Sequence, residues 1–456
     1  MKTEKRPPPV LDYHGASRLN VRLPREGRDW THGGPKSIAK DGDNLNILVQ
    51  TLSQVNEQKL WSWPKRQHFF FSDLHGDPDA FVASLVASGG VKKTGKKHND
   101  FSLTQSGRKA TFVIGGDCFD KGPSSLELLR TIKGLIDTGA RVRLLAGNHD
   151  VRVKLGLSTV GQKRDDHNEH FFIRTGQKII PLIKEVWGVY LKDGKGLKGV
   201  PHKKECRRRL YPSVDWFDHF PDIAQDSVRP AQIKRELGRI HKKQDRFEAQ
   251  CKEVGLNLRH VYAAAMKWQD LFLQPDGEFA WFYKKLRLSY RAGSFLFVHA
   301  GLDNVIAKRL RNEGVKVLNQ EFREALYGKP FDFYYGSLCN TIRTKYRNVD
   351  QPFSQKGARH VRQAGISAVV HGHRNLHYGQ RLAGCKNLLS FECDASVDRQ
   401  TRSKERVRGR GAAVTIIEPQ GRVLGVSSDY PYVKVFEPEA TLKALKKDKS
   451  KLRRKS

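Results

Sequence analysis

The chain has 456 residues, of which 38% are hydrophobic and 29% are charged, and its formal net charge is +35. This hydrophobic fraction predicts a globular centre with polar, basic additions, and no apolar run is long enough to cross a bilayer. A positive field of this size attracts phosphorylated or otherwise anionic partners but does not define a fold.

Cysteine spacing and the first residues bear on the compartment. None of the six cysteines forms a C-x-x-C pair, which excludes a zinc ribbon and a thioredoxin-like motif. The start, MKTEKRPPPV, has no apolar stretch behind its charges, so no signal peptide is predicted. We therefore expect reduced thiols, no transmembrane segment and a cytoplasmic protein.

The chain divides into four predicted parts. Residues 1–60 should form a basic extension that is partly disordered, with a short helix over 44–52 (NLNILVQTL). A catalytic domain is predicted over 61–435, because apolar strands alternate with amphipathic helices from QHFFFSD to ARVRLLAGNHD and again from SFLFVHAGL to GRVLGVSS. Residues 156–290 break this rhythm and are predicted to be a helical, basic insertion or cap. Residues 436–456 are predicted to be a basic, disordered tail.

Five segments that follow apolar strands end in residues that commonly bind metals: SDLHGD, GGDCFDKG, GNHD, VHAGL and HGHR. Ligands in α/β proteins bind beyond the carboxyl ends of the strands, so these segments can converge on one site. Each segment alone is weak, because D-x-H and G-D-x-x-D also occur as ordinary turns. Together and in this order they predict a metal centre.

The residue types indicate which chemistry this centre supports. Mixed Asp, Asn and His ligands suit Mn, Fe or Zn better than Mg or Ca. A carboxylate can bridge two cations, and a hydroxide between them is a nucleophile at neutral pH. Phosphoryl transfer also needs charge neutralisation and a proton for the leaving oxygen, which a histidine outside the metal shell can supply. The sequence therefore predicts a two-metal phosphoester hydrolase.

The motifs D-x-H-G, G-D-x-x-D-K-G, G-N-H-D, V-H-A-G and G-H, in this order, resemble those of the calcineurin-like metallophosphoesterase superfamily. The resemblance covers residues 66–155 and 290–430, and it is nearest to the phosphoprotein phosphatase branch. It implies an α/β fold in which a metallophosphoesterase-type β-sandwich is flanked by helices. It also implies two divalent cations as cofactors, Mn, Fe or Zn with Mn favoured, and a phosphorylated substrate.

Residue roles follow from the same resemblance. It implies six metal ligands, namely Asp73 and His75 for the first metal, Asp117 as the bridge, and Asn148, His299 and His373 for the second. It further implies that His149 is the general acid and that Asp120 orients it. Asp150 is expected to anchor its loop rather than react.

Several positions depart from the pattern or leave a choice open. Lys121 stands where the family usually has a phosphate-binding arginine, and lysine lacks the two-pronged fit of a guanidinium group. A second arginine is expected in YYGSLCNTIRTKYRN, where Arg343 and Arg347 are both candidates. His371 is as consistent with a core or supporting role as with a ligand.

The predicted function is that of a metal-dependent phosphomonoesterase acting on a phosphoprotein or a phosphorylated small molecule. The alternatives are a phosphodiesterase, a dinucleoside polyphosphate hydrolase or an RNA-end-processing enzyme, and, in another class, a nucleic-acid-binding protein with an inactive phosphoesterase core. The basic insertion and tail leave nucleic acid or another polyanion open as a partner. The charge spacing in KRELGRIHKKQDRFEAQ nevertheless favours an ordinary solvated helix at the mouth of the active site.

Overall fold

The structure is a computed structural model that describes residues 11–30, 45–192 and 196–453. Predictions that fall on residues 1–10, 31–44, 193–195 and 454–456 lie outside this part of the chain. Within the described ranges, no helix is both long and apolar enough to cross a membrane.

Fifteen strands occur in the described residues. In chain order they are β1 (Gly27–Asp29), β2 (His68–Phe71), β3 (Val91–Lys93), β4 (Phe101–Leu103), β5 (Thr111–Ile114), β6 (Arg141–Leu145), β7 (Leu286–Arg287), β8 (Ser289–Ala292), β9 (Phe295–Val298), β10 (Ala368–His371), β11 (Arg381–Cys385), β12 (Leu388–Glu392), β13 (Ala413–Glu418), β14 (Arg422–Ser427) and β15 (Val433–Phe436).

The helices are more numerous. In chain order they are α1 (Leu45–Glu57), α2 (Pro78–Ala87), α3 (Gln105–Lys109), α4 (Ser125–Asp137), α5 (Asn148–Ser158), α6 (Phe171–Thr175), α7 (Ile180–Tyr190), α8 (Lys203–Leu210), α9 (Trp216–Ala224), α10 (Pro230–Glu253), α11 (Leu258–Leu273), α12 (Ala280–Lys285), α13 (Asn304–Asn312), α14 (Gly314–Tyr327), α15 (Pro330–Tyr335), α16 (Ser337–Thr341), α17 (Gln355–Gln363), α18 (Arg399–Lys404) and α19 (Pro438–Arg453), with short 3-10 helices at Ala16–Arg18 and Gly176–Ile179.

Two large sheets form the centre of the fold. The first has eight strands in the order β1-β15-β14-β13-β2-β5-β6-β7, and β2, β5, β6 and β7 are parallel. The second has five strands in the order β11-β12-β10-β9-β8, with β9, β10 and β12 parallel. The predicted strands at QHFFFSD, ATFVIGGD, ARVRLLAGNHD, SFLFVHAGL and GISAVVHGHR are therefore confirmed, and they form the parallel parts of both sheets.

The two sheets pack face to face. One apolar core joins Phe70 and Val113 of the first sheet to Phe297 and Val370 of the second, and the rings of Phe70 and Phe297 lie 5.7 Å apart between centroids. A second core lies between the first sheet and its covering helices, and it includes Phe112. The predicted class, an α/β fold with a β-sandwich flanked by helices, is confirmed.

The region between β6 and β7 is helical. Helices α5 to α12 occupy it, and the described residues there contain no strand. Helix α11 packs against α5 and α7, and α10 packs against α6 and α9. These contacts share one continuous core with the first sheet, because Phe272 and Tyr283 surround Phe119 of the G-D-C-F-D loop. The helical region is thus built onto the loop that carries the predicted ligands.

Both ends of the described chain contain more helix and strand than the sequence predicted. Helix α1 covers the described part of the helix expected over 44–52 and continues to Glu57. Strand β1 adds to the first sheet by pairing in parallel with β15. In place of the expected disordered tail, α19 packs against α1, with Leu445 fully buried. The sequence predicted disorder there because the tail has few apolar residues, and these residues are buried only by packing against α1.

We predict that Leu445→Ala lowers the free energy of unfolding by about 2–5 kcal/mol, because it removes a fully buried side chain between two helices. Chemical denaturation followed by circular dichroism would measure this change. Lys446→Ala, on the exposed side of the same turn, is the control and should change stability by less than about 0.5 kcal/mol. Equal effects of the two substitutions would contradict the packing of α19.

Candidate metal centre and active-site cleft

The five predicted segments meet at one place. They follow β2, β5 and β6 of the first sheet and β9 and β10 of the second, at the carboxyl ends of parallel strands. Two groups of buried side chains with metal-ligating atoms result, and they share Asp117: His75, Asp117 and His149 in one, and Asp117, His299 and His373 in the other. Within each group the candidate ligand atoms all lie within 4.8 Å of one another.

The two carboxylate oxygens of Asp117 face different groups. Its Oδ2 lies 3.8 Å from the Nε2 atoms of both His75 and His149. Its Oδ1 lies 3.5 Å from His299 Nε2, which is itself 3.2 Å from Asn148 Oδ1. Asp117 therefore stands between two clusters, as a bridging carboxylate must.

Hydrogen bonds to the backbone orient the histidine rings. His75 Nδ1 lies 3.2 Å from the Phe119 carbonyl and His299 Nδ1 lies 2.7 Å from the Gly115 carbonyl, so in both rings Nε2 faces the centre. In His373 the arrangement is reversed, because Nε2 contacts the Arg343 carbonyl at 3.1 Å. Backbone partners of this kind fix both tautomer and ring direction in metal-binding histidines.

Asp73 completes this part of the centre. Its Oδ1 lies 3.9 Å from His75 Nε2, while Oδ2 accepts hydrogen bonds from Ser72 Oγ and, at 2.9 Å, from the His373 amide. Asp73 thereby connects the end of β2 in one sheet to the end of β10 in the other. A Cβ atom added to Gly372 would overlap Ser72 and Asp73, which explains the glycine of the last motif.

The backbone at the centre is strained. Six non-glycine residues of the predicted site have φ in the left-handed region: Asp73, His75, Asp117, Asp120, Lys121 and His373. Such conformations cost about 1–3 kcal/mol each and persist only where the surroundings enforce them, which occurs mostly at functional sites. Asp and His adopt such conformations more often than most non-glycine residues, so the residue type is unexpected only at Lys121.

The carboxylate of Asp150 holds the loops together. It is buried and accepts hydrogen bonds from the amides of Gly147, Asp117 and Cys118 at 2.7–2.9 Å. Burial, with the nearby charge of Asp117, raises the pKa of Asp150 to about 7. Its contacts are those of a loop anchor, the role that the sequence suggested.

His149 and Asp120 form a close pair beside the centre. His149 Nδ1 lies 2.8 Å from Asp120 Oδ2, which leaves Nε2 directed towards Asp117. Burial lowers the pKa of His149 to about 4. Burial opposes ionisation of Asp120 as well, but contact with His149 holds the pKa of this carboxyl below its ordinary value.

The three residues expected to contact substrate line the same cleft but differ in their contacts and burial. Lys121 Nζ lies 2.8 Å from His75 Nε2, and Arg343 and Arg347 both line the same cleft. Arg343 packs with its guanidinium carbon 5.0 Å from the centre of the Tyr334 ring, and its Nε is buried without a hydrogen-bond partner among the described residues. Arg347 is exposed.

His371 is not part of the centre. Its Nε2 lies 2.8 Å from Ser390 Oγ, and burial together with Arg374 lowers its pKa to about 4. It does not occur in either candidate ligand group. The structure thus places His371 in a supporting position beneath the site.

The centre opens into a cleft of about 740 Å³ with strongly basic walls. Four of its basic residues were missed in the sequence: Arg152, Arg174, Lys178 and Lys345. Lys178 Nζ lies 3.9 Å from Asp120 Oδ2, and burial and Arg152 lower its pKa to about 8. These residues lie in helical or loop segments without a motif, so only the fold brings them to the site.

The donor set fits two divalent cations. Each side of Asp117 offers at least two further nitrogen or oxygen donors, and the mixture of carboxylate, amide and imidazole is typical of Mn, Fe and Zn sites. Burial opposes protonation of His299, yet Asp117 raises its pKa to about 10. This indicates that the buried carboxylates favour a positive charge at the centre.

We predict that Asp150→Ala destabilises the protein by about 3 kcal/mol or more, because three buried amides lose their acceptor. Denaturant unfolding would measure this loss. Asp165→Ala is the control, because that exposed carboxylate serves only neighbours three residues away or fewer. A loss of stability at Asp150 no larger than that of the control would contradict the anchoring role.

Comparisons with known proteins agree with this geometry. A family model described as calcineurin-like phosphoesterase matches residues 69–245, which include the first three motifs. The bis(5'-nucleosyl)-tetraphosphatase (asymmetrical) PrpE of Bacillus subtilis is 31% identical over 106 residues, which cover 21% of this chain and 40% of that protein.

The solved structures to which this chain is similar include two phosphatases. A cold-active protein tyrosine phosphatase is 14% identical with a TM-score of 0.43, and the match covers 85% of this chain and 84% of that one. A protein serine/threonine phosphatase from Saccharomyces cerevisiae is 11% identical with a TM-score of 0.34, covering 86% of this chain and 90% of that one.

Proposed function

We propose that the chain is a phosphomonoesterase that uses two divalent cations, because residues 69–245 match a family model described as calcineurin-like phosphoesterase. The observation that carries this proposal is the position of Asp117, whose two oxygens face two separate groups of buried ligands. A single metal site would not need this arrangement, whereas a pair of cations about 3.5–4 Å apart requires a shared ligand.

The proposed ligands divide between two sites. Asp73 and His75 would hold the first cation, Asp117 would bridge, and Asn148, His299 and His373 would hold the second. When bound, the cations would lower the pKa of a water molecule to the neutral range, so that it supplies the attacking hydroxide, and would neutralise phosphate charge. Mn is favoured among Mn, Fe and Zn, and the donor types support this group of metals as a whole.

His149 would supply the proton that the leaving oxygen needs. Its Nδ1 faces Asp120 at 2.8 Å, so Asp120 holds the ring and keeps Nε2 turned towards the substrate side of the centre. A carboxylate in this position also stabilises the charged form of the ring when it gains a proton. Lys178, close to Asp120, would limit how strongly this carboxylate attracts a proton to itself.

Lys121 and Arg343 would bind the phosphate. Lys121 Nζ now contacts His75 Nε2, the nitrogen that a cation would take, so metal binding would release Lys121 into the cleft. Arg343 is favoured over Arg347 because it packs against Tyr334, has an unpartnered Nε and carries the carbonyl that orients His373. A guanidinium group fixed in this way can present two donors to one phosphate.

A cytoplasmic location stays a prediction. It is supported by five buried cysteines that are free thiols in the structure, namely Cys118, Cys206, Cys251, Cys339 and Cys393. Free thiols are usual in compartments kept reducing by glutathione and thioredoxin.

A second candidate is hydrolysis of dinucleoside polyphosphates. It is favoured by the similarity to the tetraphosphatase of Bacillus subtilis, which covers 40% of that protein's length. The same centre would serve either reaction, because attack at phosphorus and protonation of the leaving oxygen are common to both. The two candidates differ in whether the attacked phosphate carries one substituent or two.

We predict Mn-dependent hydrolysis of p-nitrophenyl phosphate. His149→Ala should keep both metals, measured by elemental analysis, yet lose about 10²–10⁴-fold in kcat. Asp117→Ala should lose metal as well as activity, because it removes the shared ligand. His371→Ala, outside the ligand groups, is the matched control for metal content. Full activity in either of the first two variants would refute the assignment.

The preferred phosphate type can be measured with the same protein. We expect kcat/KM for p-nitrophenyl phosphate to exceed that for bis-p-nitrophenyl phosphate. A reversed order, or faster hydrolysis of diadenosine tetraphosphate, would favour the second candidate over the first.

We further predict that Arg343→Met raises KM for p-nitrophenyl phosphate by about 10–100-fold, the value of a lost hydrogen bond to a charged group. Arg347→Met should have a much smaller effect, because that side chain is exposed. Steady-state kinetics at saturating Mn would measure both. A larger effect at Arg347 would reverse the choice between the two arginines.

A further inference from the structure

The cleft carries more positive charge than one phosphate group requires. Helix α10 presents one face to it, and four basic residues on this face recur at helical spacing: Arg235, Arg239, Lys242 and Arg246. We propose that α10 is the recognition element for a small-molecule substrate with several phosphate groups, one at the metal centre and the others along this helix. The proposal rests on the phosphoesterase function and names its substrate class.

Packing fixes this face of α10 towards the centre. The opposite stripe of the helix is buried through Ile233, Ile240 and Phe247, so the helix cannot rotate to present another side. Lys243 is tied down as well, because its ammonium group donates a hydrogen bond to the Arg174 carbonyl. The basic groups are therefore held in place before any ligand binds.

Three of the four basic residues on this face have no carboxylate partner among the described residues. Glu236, the acidic residue of α10 that lines the cleft, is buried and paired with Arg174, and Arg239 lies 3.6 Å from its Oε2. Among the described parts of the chain, no carboxylate forms an ion pair with Arg235, Lys242 or Arg246. A solvated helix would pair such residues with acids at i+4. Here they face the cleft, and Glu236 is already paired with Arg174 and Arg239.

Burial and neighbouring positive charges lower the pKa values of two lysines in the cleft. Burial, aided by Arg174 and Arg152, lowers the pKa of Lys243 to about 7. Lys345, on the far loop of the cleft, has a lowered pKa from burial and the charge of Arg347. Anionic groups of a ligand would reverse these shifts, because an opposite charge favours the protonated amine.

The lining of the cleft offers mainly positive charge to a ligand. Tyr334 is the one aromatic residue that lines it among the described residues, and the guanidinium carbons of Arg174 and Arg343 lie 4.1 and 5.0 Å from its ring centre. Recognition of single-stranded nucleic acid depends on open aromatic faces for the bases. A cleft volume of about 740 Å³ is in the range of small-molecule sites, and basic residues from several separate segments border it, including Lys345 and Lys404.

The reaction balances as an ordinary hydrolysis. The oxygen of water forms a bond to the phosphorus at the metal centre, and the bond from this phosphorus to the leaving oxygen breaks. His149 gives its proton to the leaving oxygen, and the proton released by water restores His149 or enters solvent. Orthophosphate and a product with one phosphate fewer result, and the product is held less strongly by α10.

The test measures how orthophosphate, pyrophosphate and tripolyphosphate compete with p-nitrophenyl phosphate, with free Mn held constant. For the unchanged protein the competition constant should fall by about tenfold or more with each added phosphate, since each gains a further charged contact. In the double variant Lys242→Gln, Arg246→Gln, tripolyphosphate should lose at least about tenfold more affinity than orthophosphate.

A matched control keeps total charge equal. The double variant Lys234→Gln, Lys252→Gln also removes two charges from α10, but neither side chain lines the cleft. It should retain the full preference for tripolyphosphate. Equal losses in the two double variants, or no gain in affinity from orthophosphate to tripolyphosphate, would overturn the proposal for α10.

Two further outcomes would separate the proposed substrate class from the proposed function. A phosphoserine peptide or a single-stranded RNA that competes better than tripolyphosphate would overturn the small-molecule class while leaving phosphoester hydrolysis intact. An absence of p-nitrophenyl phosphate hydrolysis by the Mn-loaded protein would refute the proposed function itself. In that case direct binding of tripolyphosphate, measured by calorimetry, would still decide whether α10 recognises several phosphates.

Discussion

The buried carboxylates of Asp117 and Asp150 constrain the rest of the site. Asp150 accepts three backbone hydrogen bonds, one of them from the amide of Asp117, and the His149 amide donates to Asp117 Oδ1. The two loops after β5 and β6 are thereby locked together, and a Cβ atom on Gly147 would overlap Asp117. The left-handed backbone at Asp117, a conformation that Asp adopts more readily than most residues, is maintained by this network.

The same constraint explains why two sheets are needed. Parallel strands β2, β5 and β6 deliver Asp73, Asp117 and Asn148 to one edge, but of these only Asn148 lies beside His299 on the far side of Asp117. His299 and His373 come from the other sheet, and the contact of the His373 amide with Asp73 joins the two edges. Sandwich packing through the phenylalanines of β2 and β9 sets the separation between the clusters. The packing of the core therefore also sets the relative positions of the site residues.

How much of this could be read from the sequence depends on whether the signal is local. The ligand segments were predictable because each combines an apolar strand with a metal-type residue at its end, and their strands all formed. The ordered structure of β1 and α19 was not predictable, because a three-residue strand and a lysine-rich helix gain stability only by packing against β15 and α1. Lys178 was also missed, since the packing of its helix carries it to Asp120, and Arg152 was missed because it lies one turn after His149 on α5, outside the motif.

Helix α10 shows how burial changes the meaning of a charge pattern. Its sequence favours a solvated helix with pairs such as Glu236 with Arg239, and the structure places these two within 3.6 Å. Glu236 is nevertheless buried against Arg174, so it compensates the charge of another helix and leaves the cleft-facing arginines in excess. The excess lies at the mouth of a centre rich in carboxylates, where it would offset their repulsion of a phosphate. For the proposed function, a positive approach to a negative centre would let one cleft attract both metal ions and phosphorylated substrates.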